Sequence, residues 1–140
     1  MPLYAATVLL EADGEPDEGA LAVAWVIRTR VDHHPAFDIT AAADVLHAVL
    51  LAPHQFSCWL SDYEGMRRAR LTGLDPARWE RAWRWAAAAW WRFEDDPSRG
   101  ANHYLNPDLT RAGRPQHDLP AWYAPERVTV RIGHHEFLVA

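Results

Sequence analysis

The stretch from Glu18 to Val31 constrains this chain most. Leu21, Val23, Trp25, Val26 and Ile27 spread around nearly every side of a helical wheel. A helix that is apolar all round is surrounded by protein. The rest of the chain must therefore supply the shell that covers it. The 140 residues are enough to build that shell as one domain spanning residues 1–140. With 49% hydrophobic and 24% charged residues, the composition is that of a globular chain, which excludes disorder as the default state.

The other elements read as cover for this helix. Pro2 to Leu10 forms a short helix with proline tolerated in its first turn, broken by Asp13-Gly14-Glu15-Pro16-Asp17. A third helix runs from Thr40, its N-cap, to Leu51 and ends before Pro53. The aromatic stretch from His54 to Tyr63 reads as a small hairpin. Asp75-Pro76 opens a long helix as N-cap and first residue. It runs to about Phe93 and is stopped by Asp95-Asp96-Pro97. Trp79, Trp83 and Trp90 share one face of it with Ala86 and Ala87, as a core stripe. Trp85 faces elsewhere, with Arg78, Arg81 and Arg92, either as a sugar platform or covered by arginine stems. Residues 97–125 read as ordered loop with one helical turn. Arg127–Ile132 and His135–Val139 alternate polar and apolar around Gly133-His134, which predicts a terminal hairpin. The expected fold class is mainly α with minor β (α+β), helices around a buried central helix.

Charge and special residues narrow the functions. All fourteen basic residues are arginine, yet the net charge is −5, with the acidic excess in the first sixty residues. An acidic chain gains no steering toward nucleic acid, so no nucleic-acid partner is expected. The single cysteine, Cys58, excludes an internal disulfide and reads as a packed small hydrophobe. Ala20 to Ile27, the longest apolar run in the first half, is too short to cross a bilayer, so stable membrane insertion is not expected. Met1 to Leu10 has neither the basic region nor the cleavage site of a secretory signal. The expectation is synthesis in the cytoplasm, with a holin-type or export partner delivering the protein to any substrate outside. Seven of the eight histidines (His33-His34, His54, His103, His117, His134-His135) invite a metal reading, but they include no pair at helical zinc spacing and no HExxH. Adjacent histidines on a strand point to opposite faces. No metal site and no cofactor are expected.

Three segments carry candidate chemistry. Glu11 sits where an apolar helix ends, beside Leu9, Leu10 and Ala12, with Asp13, Glu15, Asp17 and Glu18 close behind. A carboxyl group held against apolar neighbours and like charges has its ionised form disfavoured. A carboxylic acid that keeps its proton is what a glycosidase needs to protonate a leaving oxygen. The same cluster also suits a solvated acidic turn. In His54-Gln55-Phe56-Ser57-Cys58-Trp59, Gln55 and Ser57 are neutral groups suited to sugar hydroxyls and N-acetyl groups. Phe56 and Trp59 offer flat faces to pyranose rings, or belong to the core. The third segment, Asp96 to Pro107, is a loop dense in hydrogen-bonding groups, His103 and Tyr104 among them. It is a substrate wall or a loop that satisfies its own backbone.

In this order the segments resemble the cell wall hydrolases of the SleB type, spore-cortex-lytic enzymes with phage-encoded members. The likeness runs through Glu11-Ala12-Asp13-Gly14-Glu15-Pro16, Glu18-Gly19, Ala22-Val23, Val26-Ile27 and Arg30-Val31, with Thr29 where the family has asparagine. It continues in Gln55-Phe56-Ser57, in Asp96-Pro97, Gly100-Ala101 and Tyr104-Leu105-Asn106-Pro107, then Trp122, and closes on Ile132-Gly133, His135 and Phe137. The resemblance implies a lysozyme-like, α-rich fold and cleavage of the muramic acid–glucosamine linkage in peptidoglycan, often as a lytic transglycosylase. It implies that Glu11 is the catalytic glutamate and that Gln55, Ser57 and Tyr104 line the cleft. Glu15, Trp59 and His103 are added as substrate-binding candidates from the segments themselves.

A transglycosylase needs one carboxyl group. A hydrolase needs a second one, to activate water or attack the sugar. Asp13 and Glu15 are the nearby candidates, though Glu15 also suits a role bracing its loop. Three readings compete: a peptidoglycan-binding module without catalysis, a hydrolytic muramidase or metal-dependent amidase, and a structural component such as part of a phage particle.

Overall fold

The computed structural model describes residues 1–34, 44–53, 55–112 and 119–140. Six helices and one small sheet are seen among them: α1 (Pro2–Glu11), α2 (Asp17–Asp32), α3 (Val45–Leu51), α4 (Glu64–Thr72), α5 (Pro76–Trp91), β1 (His103–Leu105), α6 (Pro107–Ala112), β2 (Val128–Ile132) and β3 (His135–Leu138). No helix among the described residues is long and apolar enough to cross a membrane.

The helix expected at the centre is there. Ala20, Ala22, Val23, Ala24, Val26 and Ile27 of α2 are wholly buried. Helices α1, α3 and α5 pack around it. Helix α1 is itself buried from Tyr4 to Leu10, and the Tyr4 hydroxyl donates to the Ala24 carbonyl, bolting α1 to α2. In α5 the expected cap forms: the Asp75 carboxylate accepts from the Ala77 N–H at 2.9 Å, with Pro76 in the first turn. The wholly buried face of α5 is made by Ala82, Ala86 and Ala89. Trp79, Trp83 and Trp90 are only partly buried and pack along its flanks. Small side chains let two helix backbones approach closely, so the bulky rings move aside. The helix also ends earlier than Asp95-Asp96-Pro97. Arg92 turns left-handed at φ 56°, and its N–H caps the last turn.

Three other expectations change. The third helix begins at Val45, because Asp44 is extended and its carboxylate accepts from the His47 N–H; Thr40 lies outside the described residues. The described part of the expected hairpin at 54–63 is instead two 3-10 turns, Ser57–Trp59 and Ser61–Tyr63. Side chains supply partners there that a neighbouring strand would otherwise give. Arg67 donates to the Cys58 carbonyl, and Glu11 accepts from the Cys58 N–H. Within 97–125, α6 supplies the expected helical turn, while strand β1 forms where loop was expected.

The terminal hairpin forms as expected. Its second strand, β3, is the middle of a three-stranded antiparallel sheet, order β1-β3-β2. Tyr104 pairs with Phe137 and Ile132 with His135. Gly133 turns the hairpin at φ +59°, pressed against the α1–α2 loop. A Cβ on it would lie 2.8 Å from Pro16 Cδ and closer still to the Glu15 carboxylate. Gly133→Ala therefore meets both a clash and an unfavourable backbone angle. A loss of about 2 kcal/mol is expected, read as a lower melting temperature. An unchanged melting temperature would mean the two loops are not locked together.

Candidate active site

The site forms where the end of α1 meets a 3-10 turn and strand β1. Glu11 is the last residue of α1. Its Oε1 accepts from the Cys58 N–H at 2.9 Å and lies 3.5 Å from the Ser57 hydroxyl. Its Oε2 accepts from the Tyr104 hydroxyl at 2.9 Å. Phe56 and Cys58 are buried and hold the 3-10 turn in the core, which aims the Cys58 N–H at the carboxylate. The Tyr104 ring lies against His135 (centroids 5.1 Å apart, edge-on) and Phe137 (5.8 Å). Burial first, then the Glu11 charge, pushes the Tyr104 phenol well above 10, so it stays a neutral hydroxyl. The same two causes push the Cys58 thiol up. A buried thiol that resists ionisation is no nucleophile.

Arg30 of α2 ties the walls together. Only 5% exposed, it donates from Nε to the Asn102 carbonyl at 2.8 Å and from Nη1 to the Gln55 carbonyl and side-chain Oε1. Its guanidinium also lies over the Phe56 ring. Burial pushes its pKa down, partly offset by Tyr104 and Glu11. One buried side chain thus fixes both Gln55 and the strand leading to Tyr104. Beyond it, His103 Nδ1 meets Asn102 Oδ1 at 2.8 Å, and its ring packs on Trp122 at 4.7 Å. Asn102 Oδ1 also accepts the Ala140 N–H, so it is the acceptor and Nδ1 carries the hydrogen.

Burial, and then the Arg30 charge, lowers His103 to about 4. His135 is lowered too, burial being the main cause. Both imidazoles are neutral in the folded protein at neutral pH. The unfolded chain protonates His103 near pH 6.5, the folded chain only near 4. Between the two values the unfolded state binds more protons, so stability falls as pH drops through that window. Melting temperatures measured from pH 7 to pH 4 should decline, and more gently for His103→Gln. Equal slopes in the two proteins would remove His103 as a cause.

Together these residues enclose a cleft of about 370 Å³, lined by Glu11, Arg30, Gln55, Ser57, His103, Tyr104 and Trp122. Among the described residues lining it, Glu11 is the one carboxylate. Four of the six substrate-binding candidates are therefore gathered beside Glu11: Gln55, Ser57, His103 and Tyr104. Two are not. Glu15 accepts from the His134 N–H at 2.9 Å and meets His134 Nδ1 at 3.0 Å, so it braces the hairpin turn. Trp59 donates from Nε1 to Thr7 at 3.0 Å and lies under Arg67, outside the cleft lining. Asp13 is held by Arg78 and Arg70. Trp85, with Arg78 and Arg81, lines a separate hollow of about 300 Å³ beside the Asp13–Asp17 loop. Of the adjacent histidines on the hairpin, His134 is exposed and His135 buried, so they do face apart. His54 and His117 lie outside the described residues.

Arg30 and Trp122 stand in the sequence as positions of the family likeness, without a role in the site; the structure adds them to the cleft lining. The available signal for Arg30 was a charge on the otherwise apolar face of a buried helix. For Trp122 the available signal was its place in the family likeness, and its ring meets His103 at the cleft.

The sequence pattern of the Cell Wall Hydrolase family matches residues 14–138, beginning just after Glu11. The catalytic domain of the Bacillus cereus SleB protein is similar in structure, with a TM-score of 0.60 and 24% identity over 98% of this chain and 87% of that one. The catalytic domain of the germination-specific lytic transglycosylase SleB from Bacillus anthracis gives a TM-score of 0.59 and 22% identity over 98% and 91%. No curated protein sequence matches. The fold is thus the mainly α, lysozyme-like one that the resemblance implied.

Proposed function

Because this chain belongs to the Cell Wall Hydrolase family, we propose that it cuts the glycan strands of bacterial peptidoglycan. The bond is the β-1,4 linkage between N-acetylmuramic acid and N-acetylglucosamine, and the enzyme is a lytic transglycosylase. The supporting observation is that Glu11 is the one carboxylate among the described residues lining the cleft. Hydrolysis by the common routes needs two carboxyl groups facing each other across the sugar. Asp13 and Glu15 are both engaged elsewhere.

In the proposed reaction Glu11 starts as the acid. It gives its proton to the glycosidic oxygen while the bond from that oxygen to the muramic acid C1 breaks. The glucosamine end leaves as an alcohol, and the muramic ring becomes oxocarbenium-like. Glu11, now a carboxylate, takes the proton of the muramic 6-hydroxyl as that oxygen bonds to C1. An anhydro ring closes, the acid is restored and no water is consumed. The surroundings suit both states. The Cys58 N–H can only donate, so it keeps Oε1 as an acceptor throughout. A tyrosine hydroxyl donates to a carboxylate and accepts from a carboxylic acid, so the Tyr104 contact serves both halves of the cycle. The proton then travels on Oε2. Gln55 and Ser57 supply neutral hydrogen-bonding groups for the sugar, and Trp122 an aromatic face.

This substrate puts the place of action at the bacterial wall. A phage endolysin released through a holin-type lesion fits the activity, as does delivery by an export assembly. The test is digestion of purified peptidoglycan. The expected result is soluble glycan fragments with no new free amino groups. Binding without release would favour a non-catalytic module, and new amino groups on intact glycan an amidase.

A further inference from the structure

Resting on that functional reading, we propose that a second cavity binds the acidic peptide stem of the muramic acid residue being cut, with Arg99 as the partner of a stem carboxylate. The cavity measures about 500 Å³, and Thr29, His33, Gly100, Asn102, His103 and Val139 are among its walls. His103 lines both this cavity and the Glu11 cleft, so the two are neighbours across one side chain. The stem leaves the muramic ring through a lactyl ether, only a few bonds from the C1 where the strand breaks. It must therefore exit the cleft beside the reacting centre, and the space across His103 is next to it. The walls suit a peptide: the Thr29 hydroxyl and His33 imidazole for amides, and the partly exposed Val139 for small apolar side chains.

The loop that ends at Gly100 is built tightly. Asp96 accepts from the Ser98 N–H, the Ser98 hydroxyl and the Gly100 N–H at 2.6 to 2.8 Å. Ser98 is wholly buried, and its carbonyl accepts from the Thr129 hydroxyl. These bonds hold both neighbours of Arg99, which is left-handed at φ +58°. A non-glycine residue in that region persists only where its surroundings over-determine it. Arg92 is left-handed too, but it ends α5 and its guanidinium pairs with Asp32. Arg99 does neither. It is exposed, and its guanidinium has no ion pair or hydrogen bond among the described residues. It adjoins Gly100 of the cavity wall in the chain, and its charge has no partner among the described residues. A guanidinium meets a carboxylate in a two-point fork, which gives orientation as well as attraction.

The test compares cutting rates on peptidoglycan strands that carry their stems with rates on the same strands stripped of peptide by an amidase. Wild type is expected to favour the peptide-bearing strands by roughly fivefold, the scale of one exposed charge-assisted contact. Arg99→Gln should bring that ratio toward one, while Arg99→Lys should keep most of it. Arg99→Gly, which relaxes the backbone, should also bring it toward one, so a folding defect cannot account for the loss. The proposal is overturned by a wild-type ratio of one, or by a ratio that the Gln and Gly variants leave unaltered. Failure of wild type to cut either substrate would overturn the functional reading as well, which separates the two failures.

Discussion

Glu11→Gln should keep its fold and lose roughly a thousandfold or more of its cutting rate, the range for removing a positioned general acid. Glutamine fills the same volume and still accepts from the Cys58 N–H through its carbonyl oxygen. The Tyr104 contact also survives, because a phenol hydroxyl accepts as well as donates. What disappears is the proton. The cleft offers no substitute. Cys58 and Tyr104 are both held against ionisation by burial, and no other carboxylate is found among the described lining residues. The loss should fall on kcat, because binding contacts are retained. A variant within tenfold of wild type would place the acid elsewhere.

Arg30→Met should cost about 3 kcal/mol of stability and lower the melting temperature by roughly 10 °C. Methionine replaces the stem of the side chain but none of its donors. The Asn102 and Gln55 carbonyls then face the interior without their partner, and each such orphan costs on the order of 1–3 kcal/mol. The damage should reach activity too, since Arg30 joins the Gln55 turn to the segment that carries His103 and Tyr104. Arg30→Lys keeps the charge but cannot fork between two carbonyls, so an intermediate loss is expected. A calorimetric scan of Arg30→Met that overlays wild type would contradict this role.

Much of this was legible in the chain itself, for stated physical reasons. The all-round apolarity of α2 and the Asp75-Pro76 start of α5 are local signals that the structure follows. The alternation around Gly133 predicts the hairpin, since only a two-residue turn has to be recognised. Gln55, Ser57 and Tyr104 were found through short motifs, and the fold brings them to Glu11. The rest depends on distant partners. Strand β1 is three residues long and exists because β3, more than thirty residues on, pairs with it. Helix α4 contributes no buried residue, so it leaves no apolar stripe to read. Glu15 and Trp59 carry the right chemistry for a sugar site, yet their polar groups are taken by His134 and Thr7. Sequence spacing shows which groups are near in the chain, not which of them are already occupied.

The most direct measurement is to digest purified peptidoglycan in water enriched in oxygen-18 and weigh the fragments by mass spectrometry. A cleft in which Glu11 serves as both acid and base, closing the muramic ring on its own 6-hydroxyl, predicts anhydro-muropeptides with no heavy oxygen at the cut end. One heavy oxygen at each newly cut muramic acid would contradict it, because water would then have been the nucleophile and a second group must activate it.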